Sequence, residues 1–106
     1  MKSQDRASII RIIKKEMPYL RKQFGVEHLA LFGSIARDEA NENSDIDMVV
    51  SLAEPLGFTF FQLADYLEEK LGYKVDLITA TTLELGIADP RRRHIAQDIR
   101  ESLIDV

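Results

Sequence analysis

Residues 31–50 read LFGSIARDEANENSDIDMVV, and the fold is built outward from this stretch. The apolar run His28 to Phe32 (HLALF) predicts a buried strand that ends at Gly33. Ser34 to Glu39 predicts a short helix with Ser34 near its N-terminus, and Asn41 to Ser44 (NENS) is turn chemistry. Asp45 to Leu52 (DIDMVVSL) predicts a second strand. Two parts of the stretch suit one chemistry. A Gly-Ser turn after a strand can offer backbone N–H groups to a phosphate. Ten residues later, Asp45 and Asp47 stand at alternate strand positions and can hold a divalent cation. Phosphate plus metal suggests a nucleotide, and phosphoryl or nucleotidyl transfer.

The flanking sequence supplies the rest of a small sheet and its helices. Ile9, Ile13, Met17, Leu20 and Phe24 recur at helical spacing over residues 5–24, with Pro18 inside the pattern and Gly25 as a stop. Proline there predicts a kink or the start of a second short helix. After a loop at 53–58, Phe60, Leu63, Ala64, Leu67 and Leu71 share one face of an amphipathic helix over Thr59 to Leu71. Tyr73 to Ile78 (YKVDLI) predicts a third strand. Residues 79–88 fit either a short helix or a packed loop. Asp89-Pro90 predicts the start of a last helix running to about Ser102, and Leu103 to Val106 a tail or edge strand. The order α-β-α-β-α-β-α implies an α/β or α+β fold: a small mixed sheet of three to four strands with flanking helices covering one face, expected as a single domain over residues 1–106.

Composition narrows the function classes. Of 106 residues, 45% are hydrophobic, enough for a core. A net charge of −4 argues against an extended nucleic-acid surface. There is no cysteine, which excludes disulfides and thiolate zinc sites and is compatible with a reducing cytoplasm. The opening MKSQDRASII lacks the apolar core of a signal peptide, and no apolar run reaches the length of a membrane span. A cytoplasmic protein is expected.

Each site element has a plainer reading beside the functional one. Gly33-Ser34 alone also fits an ordinary strand-to-helix turn. Asp45 and Asp47 project from one face, and two such carboxylates repel unless a cation sits between them, yet a solvent-facing strand entrance would also carry them. Asp76 is a third acid, set among Val75, Leu77 and Ile78. With its strand beside the second, it completes a three-carboxylate site, either orienting and deprotonating an attacking hydroxyl or binding a second metal.

Together, Gly33-Ser34, ten residues, Asp45-Ile46-Asp47 and a downstream Asp76 resemble the DNA polymerase β-like nucleotidyltransferase superfamily. Within it, the wording GSIARDEANENSDIDMVV and the short length resemble the minimal nucleotidyltransferases, the MntA-type antitoxins of HEPN/MNT toxin–antitoxin pairs. The resemblance implies that Gly33 and Ser34 hold ATP phosphates and that Asp45, Asp47 and Asp76 hold two Mg²⁺. It also implies a polymerase β-like fold. Arg37 matches the family's arginine and either steadies the short helix or contacts phosphate. Asp38 departs from the family, which has glycine there, and this bears on the local turn more than on the chemistry.

In 106 residues there is no room for an acceptor-binding domain, so the acceptor is expected on another protein. By resemblance that partner is a HEPN ribonuclease toxin, and the reaction is transfer of AMP from ATP to a tyrosine hydroxyl of the toxin. The alternatives are an antitoxin that acts by complex formation alone, or a transferase acting on a small molecule. Arg91-Arg92-Arg93-His94, placed in the first turn of the last helix, is either a solvated face or a contact to an acidic partner or a phosphate. Phe58, Phe60 and Phe61 are read as core rather than as a stacking platform for adenine, and His28 and His94, lacking companion ligands, as structural.

Overall fold

A computed structural model describes residues 5–41 and 43–106; residues 1–4, and residue 42 inside the predicted Asn41–Ser44 turn, lie outside the description. The first helix, α1 (Arg6–Phe24), is capped by Asp5, whose carboxylate accepts from the Ser8 N–H at 2.7 Å and from its hydroxyl at 2.9 Å. Pro18 does not divide α1, contrary to one of the two outcomes expected of it. It lies on the exposed side, away from the buried stripe of Ile9, Ile13, Met17 and Leu20, so the carbonyl that loses its partner belongs to exposed Lys14. Gly25 closes the helix at φ 68°, its N–H bonding back to the Arg21 and Leu20 carbonyls.

Four strands follow: β1 (Val26–Phe32), β2 (Ile46–Leu52), β3 (Val75–Thr79) and β4 (Ile104–Asp105). They lie in the order β3-β2-β1-β4. β1 is antiparallel to β2 and to β4, and β2 is parallel to β3, so the sheet is mixed as expected. The short helix α2 (Gly33–Ala36) links β1 to β2, and α3 (Thr59–Leu71) is the crossover from β2 to β3. The closing residues pair as an edge strand, with β4 beside Ala30 and Leu31.

Strand alternation gives the sheet two faces. Leu29, Leu31, Ile46, Met48, Val50 and Leu77 pack with α1 and α3. Phe32, Val49 and Ile78 turn the other way, toward Leu83 of α4 (Ala80–Ala88) and Ala96 of α5 (Arg93–Ser102). Helices therefore cover both faces, not one. The difference comes from residues 79–88, which resolve into a helix: the Thr79 hydroxyl accepts from the Thr82 N–H at 3.0 Å and caps it. The last helix begins at Arg93, later than Asp89-Pro90 suggests. The Asp89 side chain instead accepts from the Arg91 N–H at 3.0 Å and its carbonyl from the Arg92 N–H at 3.0 Å, which makes a turn.

Two of the three phenylalanines are not core. Phe58 is 89% exposed and Phe61 65% exposed, while Phe60 packs against the main core. The buried stripe of α3 is Leu63, Leu67 and Leu71; Phe58 precedes the helix and Phe61 points away from that stripe. His28 and His94 both lie on the surface. No described helix is long and apolar enough to cross a membrane.

Candidate functional site

The carboxylates gather where β1 ends and β2 and β3 begin. Asp47 is the register partner of Asp76 on the parallel neighbour, so their α-carbons are about 4.8 Å apart and their side chains share a face. Asp45 lies just before β2 on that same face and is exposed, as is Asp76, while Asp47 is half-buried. On its other side Asp47 pairs with Phe32, the residue before Gly33.

Gly33 brings the turn to this point. Its φ is +69°, and a β-carbon there would overlap the Asp47 carboxylate, lying 3.2 Å from its Cγ. Glycine is thus required twice, by backbone conformation and by contact. α2 begins at Gly33 itself, so Ser34 lies near its N-terminus as expected, with Phe32 as the cap and no side-chain capping bond. α2 ends at Ala36, short of the expected Glu39. In a helix this short no backbone N–H has an intrahelical partner before Arg37, which bonds the Gly33 carbonyl at 3.2 Å.

The turn after α2 is tied from a distance. Asp38 takes the left-handed conformation at φ 59°. This is the position where the sequence lacks glycine, and aspartate is among the few side chains that tolerate that conformation. Its Oδ1 accepts from the Arg6 N–H at 3.1 Å, and the Arg6 guanidinium donates to the Ala36 carbonyl at 2.7 Å. Arg6 was not legible as a site support, since it lies 30 residues from Ala36 with no local pattern linking them. Asp38→Val is expected to lose about 1–3 kcal/mol of stability from left-handed strain and the broken tie. Urea unfolding of the two forms checks it.

Electrostatics single out Asp47. Burial, then the neighbouring charges of Asp76 and Asp45, push its pKa up to about 6, and Arg37 partly opposes them. Arg37 also pairs with Glu39 at 2.9 Å, so it both braces the turn and faces the acids. None of the three carboxylates accepts a hydrogen bond or closes an ion pair with a described residue. Among the described residues no three His, Cys, Asp or Glu side chains converge as a formed metal cage. The donor chemistry nevertheless fits a hard divalent cation: oxygen ligands, unpartnered, on adjacent strands, with a mutual repulsion that a cation relieves.

The arginine cluster sits differently from the expectation. Arg91 and Arg92 lie in the turn before α5, and only Arg93 and His94 fall in its first turn. The turn therefore takes two of the charges off the helix start.

A mixed sheet with this order, and a glycine turn set against paired strand carboxylates, defines a nucleotidyltransferase fold. The chain belongs to that family: the nucleotidyltransferase domain model matches residues 7–105. It is 43% identical over 89 residues to the protein adenylyltransferase MntA of Thermococcus cleftensis, covering 83% of this chain and 87% of that protein. Among solved structures it is similar to a minimal nucleotidyltransferase with a TM-score of 0.72 and 27% identity, covering 96% of each chain. A toxin–antitoxin structure with AMP-PNP shares the fold at a TM-score of 0.53 and 22% identity, covering 86% of this chain and 79% of that one.

Proposed function

We propose that this chain is an Mg²⁺-dependent protein adenylyltransferase that acts as an antitoxin, moving AMP from ATP to a tyrosine hydroxyl of a HEPN ribonuclease toxin. The observation that carries the reading is the contact of the Gly33 turn with the Asp47 carboxylate, beside Asp76. A phosphate held by the turn then lies within reach of the acids. The MntA relative and the AMP-PNP-containing toxin–antitoxin structure support the donor and the partner class.

In this reading Gly33 and Ser34 hold the phosphates through backbone N–H groups and the Ser34 hydroxyl. Asp45, Asp47 and Asp76 are the residues that hold Mg²⁺, and Arg37 adds positive charge beside the phosphates. Bound there, the ions supply charge neutralisation to the attacking and leaving oxygens. Asp76, on the outer strand, orients the tyrosine hydroxyl and accepts its proton. A bond forms from the tyrosine oxygen to the α-phosphorus, the α–β bridging bond breaks, and pyrophosphate leaves with the electron pair.

The test is intact mass spectrometry of the HEPN toxin expected as partner, taken as the product of the adjacent reading frame, after incubation with this chain, ATP and Mg²⁺. One or more AMP increments are expected, absent with Asp45→Asn/Asp47→Asn and absent without Mg²⁺. Neutralisation that survives the double substitution, with no mass change, would replace the enzyme by an antitoxin acting through complex formation.

A further inference from the structure

The proposed transfer reaction leaves two neighbouring features unused: Arg92 and an apolar groove of about 260 Å³ between α4 and α5. Ile78 of β3 floors the groove, and Leu83, Gly86, Ile95 and Ile99 form its walls. Ile78 is the next position after Asp76 on the same strand face, about 7 Å along the strand. Ile78 thus places one edge of the groove a single same-face position from the outer carboxylate of the site. Ile95 is 56% exposed at its wall, on a helix whose buried residue is Ala96.

The three arginines beside it are not equivalent. Arg91 pairs with Asp89 at 3.4 Å, and Arg93 donates to the Ile87 carbonyl at 3.1 Å, closing the end of α4. Arg92 lines the groove, and its guanidinium makes no hydrogen bond or ion pair with any described residue. Among the described residues the groove therefore offers aliphatic walls and one cation without a partner.

Chemistry and position both select the occupant. A buried nucleotide base needs partners for its ring nitrogens and exocyclic group, and the lining supplies only the Thr82 hydroxyl and Arg92. Aliphatic walls suit an apolar side chain, and a free guanidinium suits a carboxylate. The Gly33 turn follows β1, Asp47 is on the central β2, and Asp76 is on the outer β3. With the donor phosphates on the β1 side, an in-line acceptor approaches from the β3 side, where Ile78 and α4 line the groove, while its α5 wall packs against β1 and α2.

We propose that the α4–α5 groove docks the acceptor protein, taking one of its apolar side chains while an acidic residue of the same segment pairs with Arg92. This rests on the protein-adenylyltransferase reading and adds how the acceptor is held. The probe is the product of the adjacent reading frame, titrated calorimetrically into this chain without ATP. Ile95→Glu and Arg92→Glu are each expected to weaken that binding at least tenfold, with affinity for AMP-PNP unchanged. Thermal unfolding controls for the fold, and Ile95→Ser gives a milder variant with the same expected direction. Acceptor binding within twofold of wild type in both Glu variants overturns the proposal. So does a parallel loss of AMP-PNP affinity, which would give the groove to the nucleotide, and so does a wild-type chain that does not bind the acceptor. Because the titration needs no turnover, an acceptor that binds through the groove but gains no AMP mass would sink the transferase reading while the docking surface stands.

Discussion

Asp47→Asn is expected to abolish AMP transfer and, in metal-free buffer at pH 7, to make the chain more stable. The two effects have one cause. Burial and two neighbouring carboxylates raise the Asp47 pKa from 3.8 to about 6 in the folded chain. The folded state therefore binds a proton more readily than the unfolded state between those values. Stability from this group falls as pH rises through that window and stays low above it. The full shift corresponds to about 3 kcal/mol, and solvent screening of the half-exposed side chain reduces this to about 1–2 kcal/mol. Urea unfolding at pH 4.5 and pH 7 reads the sign: the stabilisation of Asp47→Asn over wild type appears at pH 7 and shrinks at pH 4.5. Mg²⁺ is expected to stabilise wild type more than the variant, since a ligand bound only by the folded state adds stability by mass action. Transfer is expected to fall by about 10³-fold or more, roughly 4 kcal/mol of transition-state stabilisation. A destabilised Asp47→Asn at pH 7 would mean that the carboxylate has a structural partner, against the geometry described above.

Gly33→Ala is the second large effect. At φ +69° an alanine costs about 1–2 kcal/mol in backbone strain alone. Its β-carbon also meets the Asp47 carboxylate, which must rotate away or push the turn off β2. Either response separates the phosphate turn from the acids. A displacement of about 1 Å at a reacting centre can cost 10²-fold, so transfer is expected to fall at least that far. The diagnostic is the ratio of the two losses: activity falls much further than the modest drop in unfolding free energy implies. Transfer at the wild-type rate would show that the turn does not face the donor.

These expectations rest on residues that were legible in the sequence because their signals are local. Gly33 breaks an apolar run, Asp45 and Asp47 alternate at a strand start, and Asp76 interrupts an apolar strand; the sheet brings Gly33, Asp47 and Asp76 to one point. What sequence reading lost depends on tertiary packing. Ala80–Ala88 reads as ATTLELGIA, too evenly apolar to show which side is buried, so the second helical layer has no local signal. Asp89-Pro90 has the residues of a helix start but uses them in a turn, because the Asp89 side chain bonds the Arg91 N–H first. Phe58 precedes the helix and is apolar without being core, which no spacing rule reveals, whereas Phe61 falls off the face that Phe60, Leu63 and Leu67 define. Arg6 supports the turn from another element, and only the folded chain shows that.

The register of β2 on β3 has a consequence for how the chain folds. Asp47 meets Asp76 across a parallel pair whose strands are joined only through α3, so this contact closes late compared with the β1–β2 hairpin. A slip by one residue would turn Asp76 from the open face toward the layer of Leu67 and Leu71. Burying an unpaired carboxylate there costs several kcal/mol, far more than a misaligned ladder gains. The acid proposed to serve the chemistry thus also penalises the slipped pairing, and its replacement by an apolar residue is expected to remove that penalty.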